Sequence, residues 1–153
     1  MTVKEVLSQF SYLDSAEISA IEHAGFRDGE IEPFSVVDYF IKKGNITTVA
    51  KCLDNGFNPN SSESGDFGSS LLHIAIRFDQ MEIFKLLLEK GADKNFVDKV
   101  GWTPLMESVV DDKPVFGKAL VDAGVRKDFV NHRGATARAL ASKFGRQDFL
   151  SFL

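Results

Sequence analysis

The groups in this chain that could do covalent or metal chemistry are three histidines, one cysteine, an adjacent pair of aspartates and one glycine-lysine step. Gly117-Lys118 closes a run that begins at Asp112 and has the look of a phosphate-binding loop. Such a loop works because amides freed by glycines cradle phosphate, while a hydroxyl after the lysine holds magnesium. Here Asp112 stands where the first glycine belongs and Ala119 where the hydroxyl belongs, so both devices are missing. His23, His73 and His132 lie far apart without a paired spacing, and Cys52 has no second cysteine to complete a zinc set. Asp111 and Asp112 would have to converge to act as an acid pair, yet neighbouring helix residues diverge by about 100°. No serine beside a base and no glycine-rich cofactor turn is left over. The chain is expected to be non-catalytic, with no cofactor and no metal.

What the sequence does contain is a period. Gly68, Gly101 and Gly134 stand 33 residues apart, and Gly91 and Gly124 keep the same interval. Two independent landmarks sharing one interval mark stacked supersecondary units. Within one unit, Leu72, Ile74 to Ile76 and Phe78 suit a short helix, and Ile83, Phe84 and Leu86 to Leu88 suit a second. Gly91 closes that second helix as a left-handed cap. Thr103-Pro104 opens the next unit, where a proline in the first turn forfeits no hydrogen bond. Helices this short are marginal alone, so each pair must be covered by its neighbour.

Gly101-Trp-Thr-Pro-Leu105, Leu72-His-Ile-Ala75 and Leu87-Leu-Glu-Lys-Gly-Ala-Asp-Lys-Asn95 carry a family likeness: the chain resembles the ankyrin-repeat family from about Pro33 to Leu153. The fold implied is an all-α solenoid of about four helix-pair units. Residues 1–32 form an N-terminal helical cap, 33–67 a degenerate first repeat, 68–100 and 101–133 two clear repeats, and 134–153 a truncated C-terminal capping repeat. Gly56 to Gly91 is 35 residues, so the segment Ser61 to Phe67 holds a two-residue insertion. His73 takes the family's structural histidine position and is expected to hydrogen-bond beside Ser70. The resemblance also implies where a partner would sit, on the concave side, at turn tips and inner helix ends. The helix ends supply Lys42 and Lys43, Arg77 and Phe78, Val110 and Asp111, Lys143 and Phe144. The tips supply Asp66 and Phe67 with Ser69, Lys99 and Val100 with Trp102, and His132 and Arg133 with Ala135. This surface reads as basic and aromatic.

Composition bounds the rest. The 153 residues suit one domain, and no stretch approaches the about 18 apolar residues that span a membrane. The start, Met1-Thr-Val-Lys-Glu-Val, lacks the apolar run of an export signal, so a reducing cytoplasm is expected, with Cys52 as a buried thiol. In residues 1–32, Val3, Val6, Leu7 and Phe10 recur at helical spacing, and Asp14 or Ser15 can cap a second run through Ile18 and Ile21. Residues 1–67 carry eleven acids and five bases and residues 68–153 eleven acids and thirteen bases, so the halves stand near −6 and +2. Such polarity gives a partner an electrostatic direction. The function expected is a protein-protein interaction module that binds, inhibits or sequesters one protein partner. Short stand-alone ankyrin chains are similar to bacterial antitoxins, so the resemblance extends to an immunity protein against a cognate toxin. The second reading is nucleic-acid binding through the basic groove, which the net charge of −4 opposes.

Overall fold

The computed structural model describes residues 1–153 as ten α-helices with no strand beyond an isolated antiparallel bridge between Ser62 and Ser70. The helices are α1 (Val3–Leu7), α2 (Ser15–Glu22), α3 (Pro33–Lys42), α4 (Ile46–Asp54), α5 (Leu71–Arg77), α6 (Met81–Glu89), α7 (Pro104–Val110), α8 (Pro114–Asp122), α9 (Ala137–Lys143) and α10 (Gln147–Leu150). A short 3₁₀ turn, Ser8–Phe10, follows α1. The starts are written in the sequence. Thr2 with Glu5 and Asp14 with Glu17 form reciprocal capping boxes, Thr103 and Thr136 accept from the third helical amide, and prolines open α3, α7 and α8.

From α3 onward the helices pair. α3, α5, α7 and α9 make an inner row in which each touches the next, and α4, α6, α8 and α10 make the outer row. One continuous apolar core runs between the rows and joins the N-terminal segment to the last unit. Leu87 on α6 is fully buried, as its place in the repeat requires. The outer row is joined at its middle by Phe84 of α6 and Phe116 of α8, whose rings meet edge-on at 5.2 Å. Further along, an added Cβ on Gly117 would stand 2.5 Å from the Phe149 ring and 3.1 Å from Ser108 Oγ. Gly117, which in sequence resembles part of a phosphate loop, is a contact point that lets α10 close onto α8.

The N-terminal segment closes the other end. Val6, Phe10, Leu13 and Ile21 are buried, and the Phe10 ring lies 6.2 Å from that of Phe57 in the first unit. Glu17 of α2 accepts from Thr48 Oγ1 at 2.6 Å and Lys51 Nζ at 2.9 Å, both on α4. Burial alone would raise the Glu17 carboxyl, but these bonds outweigh it and hold it below its ordinary range. Cys52 is fully buried near Tyr12, and burial pushes its thiol up to about 11.

The turn between paired helices needs a left-handed residue. In the outermost units it is glycine, Gly44 (φ 68°) and Gly145 (φ 67°), but in the central two it is Asp79 (φ 59°) and Asp112 (φ 55°). Aspartate tolerates this region better than most residues, and each carboxylate is joined to the following unit. Asp79 meets Lys113 at 3.2 Å and Asp112 meets Arg146 at 3.0 Å. At the opposite edge Asn60 accepts from the Asp93 amide at 2.6 Å and Asn95 from the Arg126 amide at 2.7 Å. The lengthened loop after the first unit is tied at both sides. Ser64 N–H donates to Glu32 Oε1 at 3.0 Å, while Lys99 Nζ donates to the Ser64 and Gly65 carbonyls at 2.8 and 2.9 Å.

Two substitutions test this packing in urea melts. Leu87→Ala is expected to cost about 2–5 kcal/mol, the range for emptying a buried leucine site. Gly117→Ala should destabilise by about 1–3 kcal/mol through overpacking against Phe149 and Ser108, although alanine gains about 1 kcal/mol in helix propensity. A more stable Gly117→Ala chain would show that Phe149 yields.

Candidate protein-binding surface

The tips that carry the concave face are built by one repeated device. Asp98 Oδ1 accepts from the amides of Val100 (3.0 Å) and Trp102 (2.7 Å), while its own amide donates to the Trp102 carbonyl. Asn131, one period later, does the same for Arg133 and Ala135. Before the second unit the insertion changes the solution: Glu63 reaches the Ser69 amide with a longer side chain at 3.2 Å. The tips also stack. The Lys99 stem lies over Gly68 and the His132 ring over Gly101, at positions where a Cβ would stand 2.6 and 2.7 Å from them. Both Lys99 and His132 therefore hold neighbouring tips together.

His73 fixes the base of this scaffold. It is fully buried, its Nδ1 lies 2.8 Å from Ser70 Oγ and 3.3 Å from the Ser70 amide, and its ring meets Phe96 edge-on. The amide N–H must donate, so Nδ1 accepts and the proton sits on Nε2. Burial, with Arg77 nearby adding repulsion, lowers its pKa to about 4.

The concave face holds two clefts, with half-buried Trp102 as the ridge between them. The first, about 230 Å³, is lined by Phe67, Arg77, Asp98, Val100, Trp102, Glu107 and Val110. The second, about 220 Å³, is lined by Trp102, Asn131, Arg133, Ala135, Ala139, Leu140, Lys143 and Phe144. Phe67 (61% exposed), Phe78 (41%) and Phe144 (45%) stand open to solvent along the same side, so the aromatic surface is accessible. Phe78 is flanked by Lys42 Nζ at 5.2 Å from its ring centre, and Lys143 Nζ lies 5.9 Å from that of Phe144. Lys43 sits over Tyr39, while Asp66 and Arg133 are exposed and Asp111 is half-buried.

Three sequence expectations need correction here. Ser69, placed at a tip, is fully buried, whereas Trp102 and Ala135 at the same register are half-buried. Lys99 spends its ammonium on two loop carbonyls, so it offers little to a partner. The face is also less basic than expected, because Lys42 is paired with Asp38 at 2.7 Å and Arg77 with Glu107 at 2.8 Å. Burial raises the carboxyls of Asp38, Asp98 and Glu107, opposed chiefly by Lys42 at Asp38, by the tip amides at Asp98 and by Arg77 at Glu107. These acids lie one helical turn before the inner helix ends, or at the base of a tip, so a survey of ends and tips alone passes over them. Setting the units in register aligns Arg77 with Val110 and leaves Glu107 one turn earlier, so the repeat itself does not show the bond between them.

Elsewhere no three His, Cys, Asp or Glu side chains converge where a metal ion could sit. No helix is long and apolar enough to cross a membrane.

Residues 37–128 match the family model for ankyrin repeats in three copies, more than half of the chain. The chain belongs to the ankyrin-repeat family. It is 36% identical over 62 residues to an ankyrin repeat-containing protein of Schizosaccharomyces pombe, covering 40% of this chain and 29% of that protein. It is 36% identical over 67 residues to human protein phosphatase 1 regulatory subunit 27, covering 44% of each. The ADP-ribosylation factor GTPase-activating protein AGD4 of Arabidopsis thaliana matches over 105 residues at 30%, covering 69% of this chain and 13% of that protein. The chain thus spans less than half the length of each of these relatives. Ankyrin arrays are in general protein-interaction modules, and their fold is typically non-catalytic.

The buried histidine gives a pH prediction. An unfolded histidine titrates near 6.5 and the folded one near 4. Between those values the unfolded chain binds more protons, so stability falls as pH drops through this window. From pH 7 to pH 5, His73 should remove about 2 kcal/mol. The raised carboxyls act in the opposite sense, so the comparison is with His73→Gln, whose urea-melt stability should change less over the same interval. Equal slopes for the two chains would place the His73 pKa near its unfolded value.

Proposed function

We propose that this chain is a non-catalytic binding module that captures one protein partner on its concave face and thereby inhibits or sequesters it. The carrying observation is the pair of clefts divided by Trp102 and lined by exposed Phe67 and Phe144, with exposed Phe78 outside them, on a scaffold of internally bonded tips. Exposed aromatics on a preorganised surface are the residues that dominate binding energy when they enter a partner's pockets. Phe67, Phe78 and Phe144 take no part in the solenoid's own core. One relative's description as a phosphatase regulatory subunit supports the class of role. Inhibition of a cognate toxin is the narrowest form of this reading, and Lys42, Lys43, Asp66, Phe67, Arg77, Phe78, Asp111, Trp102, Arg133, Lys143 and Phe144 are its proposed contact residues. Lys99 and His132 contribute by holding the tips. The cytoplasm, where Cys52 would remain a thiol, is the proposed place of action.

Affinity capture with the full chain identifies the partner, and calorimetric titration then tests the face. Trp102→Ala and Phe78→Ala should each weaken binding about thirtyfold, equivalent to roughly 2 kcal/mol. Phe78→Ala should leave the urea midpoint near that of the parent, while Trp102→Ala should lower it, because that ring also packs against the core. Arg77→Glu should act in the same direction, since it also leaves Glu107 facing a second carboxylate. Normal binding by all three would move the site to the acidic surface of residues 1–67. Binding to generic DNA at low salt that falls steeply as salt is added would instead favour a nucleic-acid partner.

A further inference from the structure

The two clefts on either side of Trp102 carry opposite charge. In the first, Asp98 and Glu107 outnumber Arg77, and Asp111 stands close enough to raise the Glu107 carboxyl. Arg77 is already committed, donating from Nε to Glu107 Oε1 at 2.8 Å and from Nη2 to Ser69 Oγ at 3.4 Å. The Glu107 Oε2 and Asp98 Oδ2 atoms take no hydrogen bond from the chain, and neither is sealed from solvent. Phe67 and Trp102 line the same cleft. In the second cleft the only charged groups are Arg133 and Lys143, and neither makes an ion pair within the chain. Apart from Asn131, its remaining wall is apolar, made by Trp102, Ala135, Ala139, Leu140 and Phe144.

We propose that the concave face reads an ordered charge pair on a protein segment. A basic side chain enters the cleft at Glu107 and Asp98, an acidic one meets Arg133 and Lys143, and an apolar residue between them rests on Trp102. This rests on the reading of the concave face as the binding site, and it specifies the partner's chemistry there. An aromatic wall with carboxylates at its base suits a cation, which gains attraction from the ring faces as well as from the acids. Two unpaired cations beside an apolar wall suit a carboxylate, with the arginine able to bind it in bidentate fashion. Neighbouring inner helices lie on the order of 8–10 Å apart, and an extended segment advances about 3.3 Å per residue. The two charges should therefore stand about three residues apart. The wrong order would set base against Arg133 and Lys143 and acid against Glu107, which gives the site a way to reject partners.

Random peptides displayed on phage test this, panned at low ionic strength on the full chain, on Trp102→Ala and on the double variant Arg133→Glu with Lys143→Glu. Arg133 and Lys143 are exposed and unpaired, so the double variant should keep the parent's circular dichroism and melt. Peptides enriched on the parent should pair a lysine or arginine with an aspartate or glutamate about three residues away, flanking an apolar residue. Resynthesised peptides are then titrated by the emission of Trp102, the only tryptophan in the chain. Replacing either peptide charge by alanine should weaken binding about tenfold. On the double variant, selection should replace the acid by a base and retain the first base. Enrichment that depends on Trp102 but shows no charge order would overturn the proposal and leave the concave-face reading standing. The same peptides selected by the double variant would also overturn it, as would no enrichment over Trp102→Ala. The reading of the face itself is decided separately, by titration of the captured partner.

Discussion

α5, α7 and α9 are seven residues each, two turns, and such helices are marginal in water when isolated. The burial of one unit's apolar face by the next is therefore the condition on which each helix exists. Leu87, Phe84, Phe116 and Phe149 are core residues that carry that condition along the outer row. It explains why α1 and α2 are spread over the first unit and why Gly117 surrenders a side chain so that Phe149 can reach α8. It also explains the buried histidine. Burial keeps that group neutral, and in the neutral form its Nδ1 can accept from Ser70 at the entry of α5, the helix on which α3, α6 and α7 pack.

Much of this architecture was legible in the sequence because it depends on local signals that repeat. The spacing of Gly68, Gly101 and Gly134 fixes the register, Thr103-Pro104 marks the start of α7, and Asp14 marks that of α2. The surface was legible only as a list of positions. Trp102, Arg77, Phe67, Arg133, Lys143 and Phe144 do line the two clefts. Whether a side chain is free, however, depends on what crosses from the adjoining unit. Arg77 is met by Glu107, thirty residues away and one turn out of register with it. Lys99 is drawn to carbonyls in an insertion that the repeat pattern does not contain. Ser69 is buried because a seven-residue exit loop folds back over it. Periodicity gives each residue its height in the stack and is silent on partners across a seam.

The same crossings alter the electrostatic reading. Summed along the chain, residues 68–153 carry a positive excess, yet on the concave face part of that excess is neutralised by pairing. Exposed ion pairs contribute little to stability because water and salt screen them. Their effect here is on what remains unpaired, since each one removes a charge from the surface a partner meets. Net charge by segment is thus a poor guide to the field inside a groove only a few residues wide.

The paired edges have a mechanical consequence. Asp79 with Lys113 and Asp112 with Arg146 lace one margin of the stack, and the Asn60 and Asn95 contacts lace the other. A pile of rigid slabs bends only at its joints, so the relative length of the lacing on the two margins sets its curvature. Both margins mix the two kinds of bond, since Arg146 also donates to the Val110 carbonyl at 3.3 Å on the first and Lys90 meets Asp54 on the second, so rising salt loosens part of each and leaves the rest.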